Sequence, residues 1–299
     1  MKRVLTFLFV FSALALQAQN VRLGFKPVAG ENYTVSTEMD QVMNISVPGM
    51  GDMTTNIKQA LGATITLVEE QEAGYLMEGK LTKLLYSAEA QGQSQSFSSE
   101  GEDVTSQAIR TLLNNPFRFV VSKQGDVTEM LPVDELFYAQ MDTVLATQYA
   151  KRKRETLVTQ LKTMFGEQSM KAAVQAGLTK FPDKEMKVPS VWSDDEASKE
   201  LRANITSQFR LLDITDNVAN LSCKVVIMGD PNAEKPEGPQ RMDNLYGNGV
   251  ATFKVDATTG WVIEGSSTQD MKGDLVIEQG GQSQSIPLTL KMTTTVTNK

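Results

Sequence analysis

Histidine is absent from this sequence of 299 residues, and cysteine occurs once. Without an imidazole, the chain cannot form a Ser-His-Asp or Cys-His nucleophile system, a His-ligated zinc site, or the usual general base with a pKa near neutrality. A single cysteine, Cys223, also excludes a disulfide within the chain. Because Cys223 lies in an alternating apolar run, the pattern predicts a buried packing thiol and disfavours a reactive one.

The charge balance and the glycine pattern exclude further classes of function. Lys and Arg number 29 against 36 Asp and Glu, so the formal net charge is -7. An acidic chain repels the phosphates of nucleic acids. No glycine-rich loop opens a helix with phosphate-loop spacing, and no calcium-loop pattern occurs. We therefore expect no cofactor, no metal and no nucleic-acid partner.

Residues 1–18 have the pattern of a Sec-type signal peptide. Two basic residues precede the apolar run 4–16, and Ala18 stands at the expected cleavage position. A membrane anchor is the alternative, but the run is shorter than the roughly 20 apolar residues needed to span a bilayer. No cysteine stands directly after the run, where a lipoprotein would carry its lipid-modified residue. The pattern predicts a periplasmic or secreted protein that is not a lipoprotein, with a mature chain beginning near Gln19.

Apolar and polar residues alternate over residues 31–90 and again over residues 199–297. This period of two predicts long β-strands with one buried face. At residues 83–84 the apolar residues change from odd-numbered to even-numbered positions. A β-bulge there would exchange the two faces of the strand. Residues 117–131 predict a further hairpin, in which Gly125 supplies a positive φ.

Between these runs, residues 102–115 and 132–178 carry apolar residues at spacings of three and four, which predicts helices. Strands, then helices, then strands predict an α+β fold. We expect a curved antiparallel sheet, an open or half barrel, with the central helical insert packed against it. Residues 19–299 are predicted to form a single domain, with two domains as the alternative. The polar segments 48–56 and 230–247 are predicted to be loops.

Paired carboxylates are the remaining candidates for catalysis. Acidic clusters occur at residues 69–72, at Asp183 with Glu185, and at residues 194–196. A glycosidase needs two carboxylates that face each other across a cleft, usually beside aromatic platforms, and aromatic residues make up only 7% of the chain. We interpret the clusters as solvated turns and expect that the protein is not an enzyme.

Methionine, by contrast, is frequent, with 15 residues. Thioether side chains fill irregular apolar space and adapt to varied ligands. We predict a soft pocket for a lipid-like or other apolar ligand, lined by Met39, Met43, Met77, Met141, Met164, Phe165, Met271 and Met292. A packed core that uses methionine as filler is the alternative.

One basic run stands out in the helical region, formed by Lys151, Arg152, Lys153 and Arg154. We expect it on an exposed helix face, and peripheral contact with an anionic membrane surface or lipopolysaccharide is the alternative role. Strand edges and the two polar loops could instead hold an envelope protein partner.

Several segments, taken in order, resemble a family of uncharacterised exported proteins from Bacteroidetes, known as a domain of unknown function. They are Gly30-Glu31-Asn32-Tyr33, residues 63–79, Val121-Ser122-Lys123-Gln124-Gly125-Asp126-Val127, residues 181–192 and residues 249–265. The family carries no established catalytic or binding residues, so the resemblance implies none here. Pro189-Ser190-Val191-Trp192 stands where the family has Gly-Asp-x-Trp. In layout, the chain also resembles open-barrel carriers of envelope lipids and lipoproteins.

These observations together predict an exported, non-catalytic envelope protein. Its ligand would be hydrophobic or lipid-like and would lie between the curved sheet and the helices of residues 102–178. An envelope scaffold or protein-interaction module is one alternative, and a carboxylate-based hydrolase is another.

Overall fold

The computed structural model describes residues 20–298, apart from 48, 50, 114, 132–134, 200, 235–239 and 280–281. The predicted signal peptide therefore lies outside the described residues, as does part of the predicted loop 230–247. None of the described helices has the length and apolar character needed to cross a membrane.

Strands and helices follow one another in three groups. The first consists of β1 Asn20–Val21, β2 Asn32–Val47, β3 Gly51–Glu70, β4 Gly74–Ala90 and β5 Gln93–Ser98. The second contains α1 Val104–Leu113, β6 Pro116–Ser122, β7 Val127–Met130, α2 Glu135–Leu145, α3 Lys151–Phe165 and α4 Glu167–Ala176. The third is formed by β8 Met186–Lys187, β9 Ser190–Ser198, β10 Ala203–Thr215, β11 Val218–Gly229, β12 Gln240–Asp256, β13 Val262–Gln279 and β14 Gln282–Asn298.

Twelve strands form one curved antiparallel sheet in the order β7-β6-β4-β3-β2-β14-β13-β12-β11-β10-β9, with β5 paired to β4. Strands β1 and β8 form a separate pair. Within the described residues, the edge strands β7 and β9 do not pair with each other, so the sheet is not closed. The predicted α+β class with a curved open sheet is confirmed. One main core cluster includes buried residues from both strand-rich halves and from the helices.

A β-bulge in β4 lies within one residue of its predicted position. Gly62 pairs with Lys83 and Ala63 with Leu81, which leaves Thr82 as the extra residue. A Cβ on Gly62 would lie 2.7 Å from the side-chain oxygen of Thr82. The glycine thus makes room for the bulge, which exchanges the two faces of β4 as the change of apolar phase indicated.

Three sequence-based predictions were wrong in detail. Residues 240–247 of the predicted loop 230–247 belong to β12. Gly51 already pairs with Val47, so most of the predicted loop 48–56 is strand. Residues 194–196, predicted to be a solvated turn, belong to β9. This strand lies at the edge of the sheet and buries few side chains, so it lacks an apolar alternation. Charged residues are common on such strands because they discourage pairing with another chain.

The segment after α4 joins the two edges of the sheet. The backbone N–H of Phe181 donates to the carbonyl of Gln124, in the β6–β7 turn, at 2.8 Å. The indole N–H of Trp192, on β9, donates to the carbonyl of Lys180 at 3.0 Å. Residues 178–181 therefore bridge the gap between β7 and β9 that backbone pairing leaves open.

An aromatic cluster packs beside the β6–β7 turn. The backbone N–H of Phe25 donates to the carbonyl of Lys123 at 2.9 Å. The fully buried Phe25 ring contacts Tyr75 and Trp261 edge-on, with centroid distances of 5.7 and 5.0 Å. The segment that follows β1 is therefore anchored in the core.

Candidate ligand-binding site

A cavity of about 620 Å³ lies between the inner face of the sheet and the helices α3 and α4. Strands β2 to β4 and β9 to β14 all contribute to its wall. Small-molecule sites in proteins typically have volumes of roughly 300–1,000 Å³. The cavity is therefore large enough to hold a ligand.

A row of directly paired residues forms the floor of the cavity. Each residue stands opposite the next on the neighbouring strand, and from β3 to β10 the row reads Gln59, Met39, Thr294, Ser267, Ala251, Cys223 and Phe209. We call these seven residues the floor row. Six strand spacings of about 4.8 Å make it about 29 Å long, measured along the sheet.

The cavity exists because the side chains on both sides of it are small. At the centre of the floor row stand Thr294, Ser267 and Ala251, with Gly265 beside them on β13. Helix α4 contributes three alanines to the opposite wall: Ala172, Ala173 and Ala176. Protein interiors are otherwise packed as densely as organic crystals. Larger residues at these positions would occupy the space now open.

Hydrogen bonds from Gln175 hold α4 over the floor row. Its Oε1 accepts from the backbone N–H of Val127 at 2.8 Å, and its Nε2 donates to the carbonyl of Gly125 at 3.1 Å. Directly after the helix, a Cβ on Gly177 would lie 2.9 Å from a methyl group of Val35. The end of α4 is thus fixed to the β6–β7 hairpin and to β2.

Four of the eight predicted pocket residues line this cavity: Met39, Met164, Phe165 and Met292. Met39 and Met292 come from the neighbouring strands β2 and β14, while Met164 and Phe165 end α3. The structure thus brings together side chains that lie far apart in the sequence.

The other four predicted pocket residues lie elsewhere. Met77 and Met141 are fully buried in the main core. Met271 belongs to a second apolar cluster, and Met43 is paired with Leu290 away from the cavity wall. Met43 and Met271 are each four residues along their strands from the floor row. They share its face of the sheet but lie about 13 Å farther on.

Sequence reasoning missed the small residues that create the space. Ala251 and Gly265 were recognised as members of alternating strands, but neither was marked as a site residue. A signal was present, since small side chains recur at inward positions of neighbouring strands. The pairing register that aligns them cannot be read from the sequence alone.

Cys223 belongs to the floor row, and its predicted burial is confirmed, with 4% of the residue exposed. Burial raises the pKa of the Cys223 thiol to about 11. At neutral pH the thiol is therefore protonated, in keeping with the predicted packing role.

A cluster of charged side chains adjoins the cavity beside β9. The Nζ atom of Lys180 lies 2.9 Å from a carboxylate oxygen of Asp126, 2.8 Å from Asp194 and 3.0 Å from Glu196. Burial lowers the pKa of Lys180, but hydrogen bonds to the three carboxylates outweigh it, and the pKa is raised above its ordinary value. We call these four residues the Lys180 cluster. Lys180 and Glu196 are part of the cavity wall.

The candidate acids for hydrolysis have separate surroundings. Asp183 pairs with Arg22, while Glu185 is exposed. Asp194 belongs to the Lys180 cluster, and Asp195 projects from the opposite face of β9. In the part of the chain that the structure describes, no group of three or more cysteine and acidic side chains is arranged to hold a metal ion.

The basic run lies at the start of α3. Three of its four cations contact nearby side chains: Lys151 at 3.8 Å from Glu155, Arg154 at 3.4 Å from Asp142, and Lys153 at 4.2 Å from the ring centre of Tyr149. Lys151, Arg152 and Lys153 are exposed. Contact with an anionic membrane surface stays a prediction for this run.

A protein-family model described as a family of unknown function, DUF6263, matches residues 72–262, more than half of the chain. The chain belongs to this family. The DUF6263 region begins just before β4 and ends at the start of β13. It contains the four described helices and the Lys180 cluster, whereas four residues of the floor row lie outside it: Gln59, Met39, Thr294 and Ser267. No curated protein matches the chain.

Solved structures show distant similarity. Lipovitellin, in a structure of its lipid-protein interactions, has 12% identity and a TM-score of 0.47, and the alignment covers 91% of this chain and 25% of the lipovitellin chain. An outer membrane channel from Pseudomonas putida F1 has 7% identity and a TM-score of 0.25, with coverage of 91% and 96%. DynF from the dynemicin biosynthesis pathway of Micromonospora chersina has 7% identity and a TM-score of 0.20, with coverage of 93% and 85%.

Proposed function

We propose that the protein is an exported, non-catalytic envelope protein that holds a hydrophobic or lipid-like ligand between the sheet and α4. The observation that carries this proposal is the cavity of about 620 Å³. Apolar side chains around a cavity of this size face solvent instead of packing partners. A ligand that occupies the cavity packs against these side chains and displaces water from them, which favours binding.

The chemistry of the wall supports an apolar ligand. Leu61 on β3 and Phe253 on β12 extend the floor, each two residues along its strand from the floor row, and Met164 and Phe165 contribute from α3. Burial of apolar surface contributes roughly 25 cal/mol per Å² to the free energy of binding, before the costs of association. Methionine adds adaptability because its unbranched side chain can change its shape to suit different chains.

We also propose that the protein is exported, and the signal-peptide pattern of residues 1–18 supports this. The protein should therefore be purified from the periplasmic or secreted fraction of its producer. Native mass spectrometry of that material is expected to show a chain that begins near Gln19, with a non-covalently bound lipid-like molecule. A chain retained in the cytoplasm with residues 1–18 attached would contradict export.

Binding itself is tested with the neutral fluorescent probe N-phenyl-1-naphthylamine. We expect saturable binding at one site per chain. The substitution Thr294→Phe places a ring in the middle of the floor row and is expected to weaken binding at least about tenfold, because the cavity loses the space that the probe needs.

Thr293→Phe is the matched control, since Thr293 is the same residue type on the same strand but faces outward and is exposed. The control is expected to bind like the parent. Absence of saturable binding, or equal effects of the two substitutions, would overturn the proposal.

A further inference from the structure

The charged part of the cavity wall contains hydrogen-bond acceptors but no free charged donor. Lys180 and Glu196 are the charged side chains among the described lining residues. An ammonium group has three N–H donors, and the three carboxylates of the Lys180 cluster lie within 3.0 Å of Nζ. Lys180 therefore has no donor left for an anionic ligand, whereas each carboxylate keeps further acceptor sites.

The net charge of the Lys180 cluster also disfavours an anionic ligand. Three carboxylates surround one ammonium, which leaves an excess of two negative charges beside the cavity. The Glu196 side chain is 59% exposed, so this excess acts on a ligand head at the solvent-facing side of the cavity, where it attracts a cation, repels an anion and is screened by salt. A carboxylate or phosphate head would meet repulsion that no free cation relieves.

Thr179 provides an independent sign that a polar group of a ligand belongs here. It adjoins Lys180, contributes to the cavity wall and is 3% exposed. Its hydroxyl oxygen is buried and has no hydrogen-bond partner in the described part of the protein. A buried polar group without a partner carries an uncompensated desolvation cost. Rotation about the Cα–Cβ bond of Thr179 exchanges its hydroxyl and methyl groups, and in that rotamer a hydrogen-bonding ligand head would remove the cost.

We propose that the cavity takes an amphiphile whose head is a hydrogen-bond-donating cation, an amine, and discriminates against anionic amphiphiles of the same chain. This inference rests on the proposed function and adds the class of ligand. The apolar chain contacts Leu61, Phe253 and the methionines, while the amine lies beside Glu196 and Thr179.

The experiment compares three ligands that share one chain: dodecylamine, dodecanol and dodecanoate. Each displaces N-phenyl-1-naphthylamine from the full-length mature protein at pH 7 and low salt. We expect the Kd to increase from amine to alcohol to carboxylate. The amine should bind at least about tenfold more tightly than the carboxylate, and this ratio should shrink as salt screens the charges.

Two substitutions test whether Glu196 causes the preference for the amine. Glu196→Gln removes one negative charge from the cavity wall and is expected to reduce the ratio of amine to carboxylate affinity several-fold. Asp195→Asn is the matched control, because Asp195 is the adjacent residue, faces the other side of β9 and accepts a hydrogen bond from the Thr206 hydroxyl at 2.6 Å. We expect the control to keep the ratio of the parent. Circular dichroism checks that both variants fold.

The outcomes separate this inference from the proposed function. If dodecanol binds but dodecanoate binds as tightly as dodecylamine, the inference is wrong and the proposed function stands. Equal effects of Glu196→Gln and Asp195→Asn would also overturn the inference. If none of the three ligands displaces the probe and the probe itself does not saturate, the proposed function fails, and the inference fails with it.

Discussion

At the scale of the residue, the rate of chemical modification of Cys223 measures how accessible the floor of the cavity is. The thiolate is the reactive form of cysteine, and burial raises the pKa of this thiol from 9.0 to about 11. We therefore expect iodoacetamide to modify Cys223 at pH 8 at least about tenfold more slowly than an exposed thiol. Bound dodecanol should slow the reaction further. Mass spectrometry measures both rates.

The same chain in urea provides the control, because unfolding exposes the thiol and should restore an ordinary rate. The raised pKa of Cys223 also makes the stability of the folded state depend on pH. The folded state favours the protonated thiol, so this contribution to stability is complete below pH 9.0 and is lost as the pH rises through about 11. Rapid modification of the folded protein at pH 8 would show that Cys223 is not buried at the floor of the cavity.

At the scale of the element, Gln175 determines how α4 covers the cavity. Gln175→Leu removes both side-chain hydrogen bonds and leaves Val127 N–H and Gly125 C=O without these partners. We expect the free energy of unfolding to fall by about 2 kcal/mol, given the cost of unpaired, partly buried backbone groups. Urea denaturation measures the change, and probe binding should weaken in parallel.

Gln107→Leu is a suitable comparison because Gln107 also lies on a helix, α1, and its side chain makes one exposed bond to the carbonyl of Glu102. The comparison variant is expected to change stability by less than about 0.5 kcal/mol. Should the two variants lose equal stability, α4 would not depend on Gln175 for its position.

Most long elements were predictable because each has one buried face. Period-two alternation located β2, β4 and β14, and spacings of three and four located the helices. β9 was missed because it is an edge strand with acidic residues and few buried side chains. Its Asp194 and Glu196 take part in a contact with Lys180 that depends on the tertiary fold.

The candidate site was predictable only in part, for a geometric reason. Alternation shows which side chains face inward, and Met39 and Met292 were found in this way. It does not show how far along each strand the helices extend. Met43 and Met271 share the inward face with the floor row but lie beyond the cavity wall. Small residues such as Ser267 carry almost no apolar signal, although they create the space.

At the scale of the whole molecule, the Lys180 cluster ties together the two edges of the sheet. Asp126 lies in the β6–β7 turn, whereas Asp194 and Glu196 lie on β9. Lys180→Met keeps the length of the side chain but leaves three carboxylates without their cation. Because these groups are partly exposed, we expect a loss of about 1–2 kcal/mol in urea denaturation.

Lys184→Met, at an exposed position a few residues along the same segment, serves as the comparison and should be nearly neutral. The raised pKa of Lys180 means that its contribution persists at every pH below its ordinary value of 10.5 and declines only above it. The difference between Lys180→Met and the parent should thus not depend on titration of this lysine between pH 6 and pH 9. An unchanged urea midpoint for Lys180→Met would show that the edges hold together without the cluster.

The position of β14 has a consequence for the order of events in the cell. It lies between β2 and β13, and it pairs Thr294 with Met39 from the opposite end of the described chain. The hairpins on either side of β14 can form from contacts that are close in sequence. The two halves of the sheet join only through the pairing of β14 with β2, whose residues are about 250 positions apart in the chain. A chain still being synthesised therefore has no continuous floor row. If the cavity holds a ligand as proposed, loading follows the completion of folding.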